Sequence, residues 1–292
     1  MKIYFYSGIL ILTWFILYPS FCRANNIIVV SIEPEIYFVR SIAGNNINVT
    51  VMVPKGADPH TYEPKPLQMR MLSQACAYLA IGVKFEQTWL PRFQEQNPNL
   101  KIFHLDQGIK KYPMEEQVFY PGPIKPHKNE FLDPHIWLGV DEAKLIAKNT
   151  YEALSKTFPD QKQLFKKRLN QLLSHLTTLK KTIARRLARL KNRNFLVFHP
   201  AWGYFARCFG LRQIAIQIRG REPSAKDMAW IVQVIKQHKI PILFIQPQFS
   251  PKKAQVIAKQ LGIKVMLADP LSREWEKNIL HLVDNLLLAN TN

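Results

Sequence analysis

This chain predicts an α/β fold: two lobes, each a mostly parallel sheet covered by helices, joined by one long rigid helix. Three observations carry that reading. Short β-branched or apolar runs alternate with helical patterns from Ile27 to Leu105, and the same rhythm resumes from Phe195 to Leu288. Between them, Gln161 to Arg193 places Phe165, Leu169, Leu172, Leu176, Leu179, Ile183, Leu187 and Leu190 at helical spacing. A length of 292 residues with 47% hydrophobic composition is enough for two compact domains.

In the first lobe, Ile27 to Ile32 reads as a buried strand, Pro34 to Ala43 as a helix and Ile47 to Val53 as a second strand. Pro66 to Gln74 is helical, Ala77 to Ile81 a strand stopped by Gly82, Glu86 to Gln94 a helix and Lys101 to Leu105 a strand. Gln107 to Leu132 breaks the rhythm with Gly-Pro, Lys-Pro and Glu-Glu pairs and reads as a long surface loop. A helix then starts near Asp141. In the second lobe the strands are Phe195 to Phe198, Ile214 to Ile218, Ile242 to Ile245 and Ile263 to Ala268. The helices are Ala201 to Phe209 closed by Gly210, Ser224 to Gln237, Pro251 to Leu261 closed by Gly262, and Arg273 to Leu288. The expected divisions are a leader at 1–24, a first lobe at 25–158, a linking helix at 159–193 and a second lobe at 194–292.

The leader has the form of an export signal. Met1-Lys2 precedes an apolar run from Ile3 to about Leu17, and Cys22-Arg23-Ala24 supplies small residues for cleavage near Ala24. The run is short for a spanning helix and lacks a basic stop, and bulky Phe21 argues against a lipid-modified Cys22. Export permits disulfides, but Cys76 and Cys208 both lie in apolar patterns. Two buried free thiols are the expectation, with a disulfide between them as the other reading.

The formal charge of +19 invites a nucleic-acid or anionic-membrane surface. Its distribution argues otherwise. Gln161 to Arg193 alone carries eleven Lys or Arg and no Asp or Glu. No aromatic residue interleaves with these cations on the polar face, and no nucleic-acid motif accompanies them, so they read as a solvated helix face with no nucleic-acid partner.

Chemistry concentrates where a metal-binding residue sits at a proline: Asp58-Pro59-His60, Asp133-Pro134-His135, His199-Pro200 and Asp269-Pro270. Proline fixes its own φ and pushes the preceding residue towards extended geometry, so such positions hold a side chain on a stiff backbone. Three imidazoles and one carboxylate suffice to bind a transition metal, zinc above all. His60, His199 and Asp269 follow the carboxyl ends of predicted strands, where open α/β sheets place their ligands, and His135 precedes the helix near Asp141. His60 and His135 belong to the first lobe and His199 and Asp269 to the second, so a shared site lies in the cleft between them. His104, His175, His238 and His281 take the ordinary structural or solvated reading. Asp58 and Asp133 have two open readings, orienting the imidazoles or forming Asp-Pro turns. Trp137, Trp202 and Tyr204 either wall the site or pack the core.

The stretches Val53 to Pro66 (containing Asp-Pro-His-Thr-Tyr-Glu-Pro), Leu132 to Leu138, Phe198 to Phe205, Arg221 to Met228 and Ala268 to Leu271 resemble, in order, the periplasmic metal-binding proteins of zinc and manganese ABC transporters, the cluster A-I solute-binding family. The resemblance implies two lobes bridged by a rigid helix, no enzymatic activity, and a monomer that passes its metal to an ABC permease. It places the metal ligands on His60, His135, His199 and Asp269. A histidine at the third position goes with zinc importers and a glutamate with manganese or iron importers, so His199 implies Zn2+ as the ligand, with manganese or iron as the alternative. The chain departs from the family in two places. The Gln107 to Leu132 loop has only His127 where zinc members often carry many histidines, and Gln246-Pro247 stands where relatives have Glu-Pro. The second change alters either the surroundings of the ligands or the contact between lobes.

Two rival functions make different demands. A zinc hydrolase needs an open coordination position and a general base, and no HExxH-type motif is present. A basic surface-binding protein or adhesin would show salt-sensitive binding to polyanions that survives loss of the four ligands.

Overall fold

The computed structural model describes residues 26–114, 132–217, 224–249 and 251–289. The proposed leader, most of the Gln107 to Leu132 loop and the Arg221-Glu222-Pro223 stretch lie outside them.

The first sheet contains β1 (Ile27–Ile32), β2 (Asn48–Val53), β3 (Ala77–Ala80) and β4 (Lys101–His104), in the order β2-β1-β3-β4. All its pairings are parallel. All six residues of β1 are buried, as a central parallel strand covered on both faces requires. The covering helices are α1 (Glu35–Ala43), α2 (Pro66–Ser73), α3 (Lys84–Gln96) and α4 (Val140–Thr157). The described ends of the long loop meet in an isolated antiparallel bridge between Pro113 and Leu132.

The long helix α5 runs from Lys162 to Leu187. All eight residues of the predicted apolar stripe are buried, including Leu190 just beyond its end. The helix closes earlier than expected because Arg189 to Arg193 leaves the ladder through a turn. Its cations face outward for the most part. Arg168 donates to the Ala43 carbonyl at 2.7 Å, Lys180 pairs with Asp141 at 2.5 Å, and Arg186 pairs with Asp284.

The second sheet repeats the topology of the first. Strands β5 (Asn194–Val197), β6 (Arg212–Ala215), β7 (Ile242–Ile245) and β8 (Lys264–Leu267) take the order β6-β5-β7-β8, again all parallel. Its helices are α6 (Gly203–Phe209), α7 (Ala225–His238), α8 (Pro251–Leu261) and α9 (Trp275–Ala289). β6 starts two residues before the apolar run, because polar Arg212 and Gln213 pair with Asn194 and Phe195. Gly210, at φ 63°, ends α6 in the left-handed conformation that glycine adopts without a Cβ penalty.

Side-chain alternation along β5 and β7 splits the second lobe between two cores. Phe195, Val197, Ile242 and Phe244 join a continuous core with the first lobe, α5, α6 and α9. Leu196, Phe198, Leu243 and Ile245 point the other way, into a smaller cluster with Ile231, Val234, Ile235 and Ala258 of α7 and α8.

Cys208 is a half-buried free thiol, so the reading of a Cys76–Cys208 disulfide does not hold. Burial raises the Cys208 thiol to about 11, with Asp141 adding to the effect. Among the described residues, no helix is long and apolar enough to cross a membrane.

Candidate metal site

The three Asp-Pro sequences fold the same way. In each, the aspartate Oδ1 accepts a hydrogen bond from the backbone N–H two residues on: His60 to Asp58 at 2.9 Å, His135 to Asp133 at 2.9 Å, and Leu271 to Asp269 at 3.0 Å. This is an Asx-type turn, with the proline fixing the middle φ. The repeated tripeptide is thus a rigid bracket that projects the residue after the proline in two cases. At Asp269 the candidate ligand is the bracket's own aspartate.

Three imidazoles converge where the lobes meet. The His135 and His199 rings lie 5.3 Å apart between centroids, and the His60 and His199 rings 6.0 Å apart. Asp269 has contacts of its own. Its Oδ1 accepts from Gln248 Nε2 at 3.3 Å as well as from Leu271, and its carbonyl accepts from Asn278 at 2.6 Å. Among the described residues, no three His, Cys, Asp or Glu side chains are gathered into a finished metal-holding group.

The imidazoles differ in what stands behind them. His135 is buried, and its Nδ1 donates to the buried Asp133 carboxylate at 2.7 Å, which leaves Nε2 as the ring's free acceptor. A carboxylate so placed fixes ring orientation and tautomer and strengthens the ring as a metal ligand. Asp133 therefore fills both roles left open for it, whereas Asp58 forms only its turn. A Cβ on Gly203, at the start of α6, would lie 2.8 Å from Asp133 Oδ2, so this close approach needs glycine. His199 Nδ1 donates to the Gln217 Oε1 amide at 2.8 Å, and the ring packs against Phe249 with centroids 5.9 Å apart.

Burial, reinforced by the neighbouring His135, lowers the His199 pKa to about 3. His60 keeps an exposed outer edge, and partial burial still lowers its pKa, with His135 and Lys84 adding to the effect and Asp58 opposing it. Both rings are therefore neutral at pH 7, the state in which imidazole binds a metal.

Lys84 opens α3, just after a loop that is held from beneath. The buried Glu86 carboxylate accepts from Ile81 and Gly82 N–H, each at 2.8 Å, and from Ser31 Oγ at 2.5 Å. Burial raises its pKa to about 7 against the pull of these donors.

Cross-lobe hydrogen bonds run next to the candidate ligands. Trp137, two residues after His135, donates its indole N–H to the Pro270 carbonyl at 2.7 Å. Trp275 donates to the Trp137 carbonyl at 2.6 Å, Tyr204 donates to the Asp133 carbonyl at 3.0 Å, and Arg273 pairs with Glu33 at 2.6 Å. Trp137, with its ring 5.3 Å from that of His135, both walls the site and braces the lobes. Trp202 packs into the core against Phe205.

Sequence patterns had not singled out Gln217 or Gln248. Both follow carboxyl ends of second-sheet strands, the layer that also holds His199 and Asp269, and that shared position was the available signal. Gln246, in place of the family glutamate, is buried and reaches the His199 carbonyl through Nε2 at 3.5 Å. It lies beside a candidate ligand. Of the remaining histidines, His175 hydrogen-bonds Glu276 at 2.8 Å on the helix surface, and His104 is exposed on β4.

Comparison with known proteins agrees with this architecture. The family model for the periplasmic component A of zinc-uptake complexes, ZnuA, matches residues 28–287. The zinc-binding lipoprotein AdcA of Streptococcus pneumoniae (strain R6) is 28% identical over 257 residues, covering 86% of this chain and 51% of AdcA. This chain thus spans about half the length of the streptococcal AdcA proteins it matches. The high-affinity zinc uptake system protein ZnuA of Bacillus subtilis (strain 168) is 24% identical over 265 residues, 88% of this chain and 83% of that protein. A crystal structure of ZnuA superposes with a TM-score of 0.82 at 37% identity, over 90% of this chain and 98% of that one. A zinc-bound deletion mutant of ZnuA gives 0.81 at 38% identity, over 90% and 97%. With the match running unbroken through both lobes and the helix between them, this chain belongs to the ZnuA family of periplasmic zinc-uptake components.

Proposed function

We propose that this protein captures Zn2+ outside the cytoplasm with His60, His135, His199 and Asp269 and passes it to an ABC permease. The observation that carries the reading is the meeting of three imidazoles, two of them with Nδ1 held by a side chain, at the junction of two lobes, within a family of zinc-uptake components. Three imidazoles and a carboxylate are a tetrahedral donor set suited to zinc, and imidazole nitrogen suits manganese less than oxygen does. The site joins ligands from a first lobe at 25–158 and a second lobe at 194–292 across the linking helix at 159–193. Four protein ligands leave no coordination position for a reacting water, so the site works as a carrier and not as a hydrolase. The exported chain acts as a monomer after cleavage near Ala24.

Capture requires the four side chains to close onto the metal, since no three of them form a finished metal-holding group among the described residues. Zinc titration against a competing chelator tests the assignment. His199→Ala and Asp269→Ala should each weaken binding strongly, and His104→Ala should not. Wild-type affinity in both of the first two variants would remove the site from consideration.

A further inference from the structure

We propose that Gln248 is a positioning residue that holds Asp269 to a single metal-binding oxygen and so sets the preference of the site for Zn2+ over Mn2+. The inference rests on the ligand assignment above. Imidazoles are one-atom ligands, and two of them have their other nitrogen committed: His135 Nδ1 to Asp133 and His199 Nδ1 to Gln217. The only candidate ligand able to contribute a second atom is Asp269.

Its Oδ1 is already engaged twice, by Leu271 N–H at 3.0 Å and by Gln248 Nε2 at 3.3 Å. A carboxylate only accepts hydrogen bonds, so the amide edge turned towards it is the NH2. That arrangement leaves Oδ2 for a metal. Two-oxygen binding would have to displace at least one of these contacts, because Oδ1 has two lone-pair directions and both are taken. One atom from each of four residues is the tetrahedral set zinc takes, whereas a two-oxygen carboxylate adds the fifth donor and the oxygen character that suit manganese. The Leu271 contact belongs to the Asx turn that recurs at Asp58 and Asp133, so it is a general feature of these brackets. Gln248, reaching from the loop after β7 to the loop after β8, is the contact peculiar to Asp269.

The test uses the full mature chain. Gln248→Met removes the donor at similar length, and Gln248→Ala provides a second route if the thioether does not fit. Competitive Zn2+ and Mn2+ titrations should show the zinc-to-manganese affinity ratio falling about tenfold in either variant. Cobalt(II) absorption provides the geometric readout: the strong visible bands of four-coordinate cobalt in the wild type should weaken towards the five-coordinate pattern. An unchanged ratio and spectrum in both variants would overturn the role of Gln248. Asp269→Ala run in parallel separates the two levels. If it alters zinc binding while the Gln248 variants match wild type, only this inference fails. If it too leaves binding and spectrum unchanged, the ligand assignment fails with it.

Discussion

In the first lobe every layer joins one core that continues through α5 into the inner face of the second sheet, whereas the outer face of that second sheet packs with α7 and α8 into a cluster of its own. The two sheets share one strand order, so topology does not produce the difference. It comes from which helices each face meets. The division continues at the site. His135 is buried with a carboxylate behind it, while His199, Asp269 and the glutamines that contact them stand on loops at the edge of the second lobe. On the proposed ligand set, His135 is the fixed member, and His199 and Asp269, held by neutral glutamines, are left to adjust.

The largest expected effects test the two cores. Leu176→Ala, in the continuous core, should cost about 2–5 kcal/mol and lower the unfolding midpoint of the whole chain. Leu243→Ala removes a similar volume from the separate cluster and should first release amide-exchange protection in α7 and α8. Simultaneous loss of protection everywhere in both variants would mean that the cores are not separable.

Next in size is the support behind the imidazoles. Asp133→Ala should weaken zinc binding about 10–100-fold, and Gln217→Leu should weaken it less, because a charged acceptor makes the stronger hydrogen bond. Equal losses in chelator competition would remove the distinction between the fixed and adjustable ligands.

The acid response follows from His199. Its folded pKa of about 3 lies below the ordinary value of 6.5, so the unfolded chain takes up the proton first as pH falls. The corresponding stability is intact above pH ~6.5 and is lost progressively as pH drops towards ~3. Between pH 7 and pH 5 the metal-free protein should lose about 2 kcal/mol through this residue. Urea unfolding of His199→Phe should show a shallower pH slope, and a slope equal to wild type would sink the claim.

The smallest effect concerns the brace. Trp137→Phe strands the Pro270 carbonyl and should cost about 1 kcal/mol in thermal stability, with a further loss of zinc affinity if the brace aligns the two halves.

Much of this was legible in local pattern. The alternation of apolar runs located every strand to within a few residues, and the leucine stripe identified α5 because a helix buried on one face must repeat every 3.6 residues. The prolines marked the candidate ligands because stiff turns leave a chemical signature. What escaped notice depended on distance in sequence. The Trp137 to Pro270 contact joins positions 133 residues apart, and no periodicity encodes such a pairing. Gln217 and Gln248 are ordinary loop residues until the sheet order sets them beside His199 and Asp269.

Under the proposed function, the Trp137 to Pro270 hydrogen bond would limit how far a bound metal could reshape the molecule. It ties the lobes together one residue from Asp269 and two residues from His135, so loading and release would be expected to leave the outline nearly unchanged. A sign that metal is on board would then be confined to the posture of a few loops around the cleft, where the proposed permease would have to read it at short range.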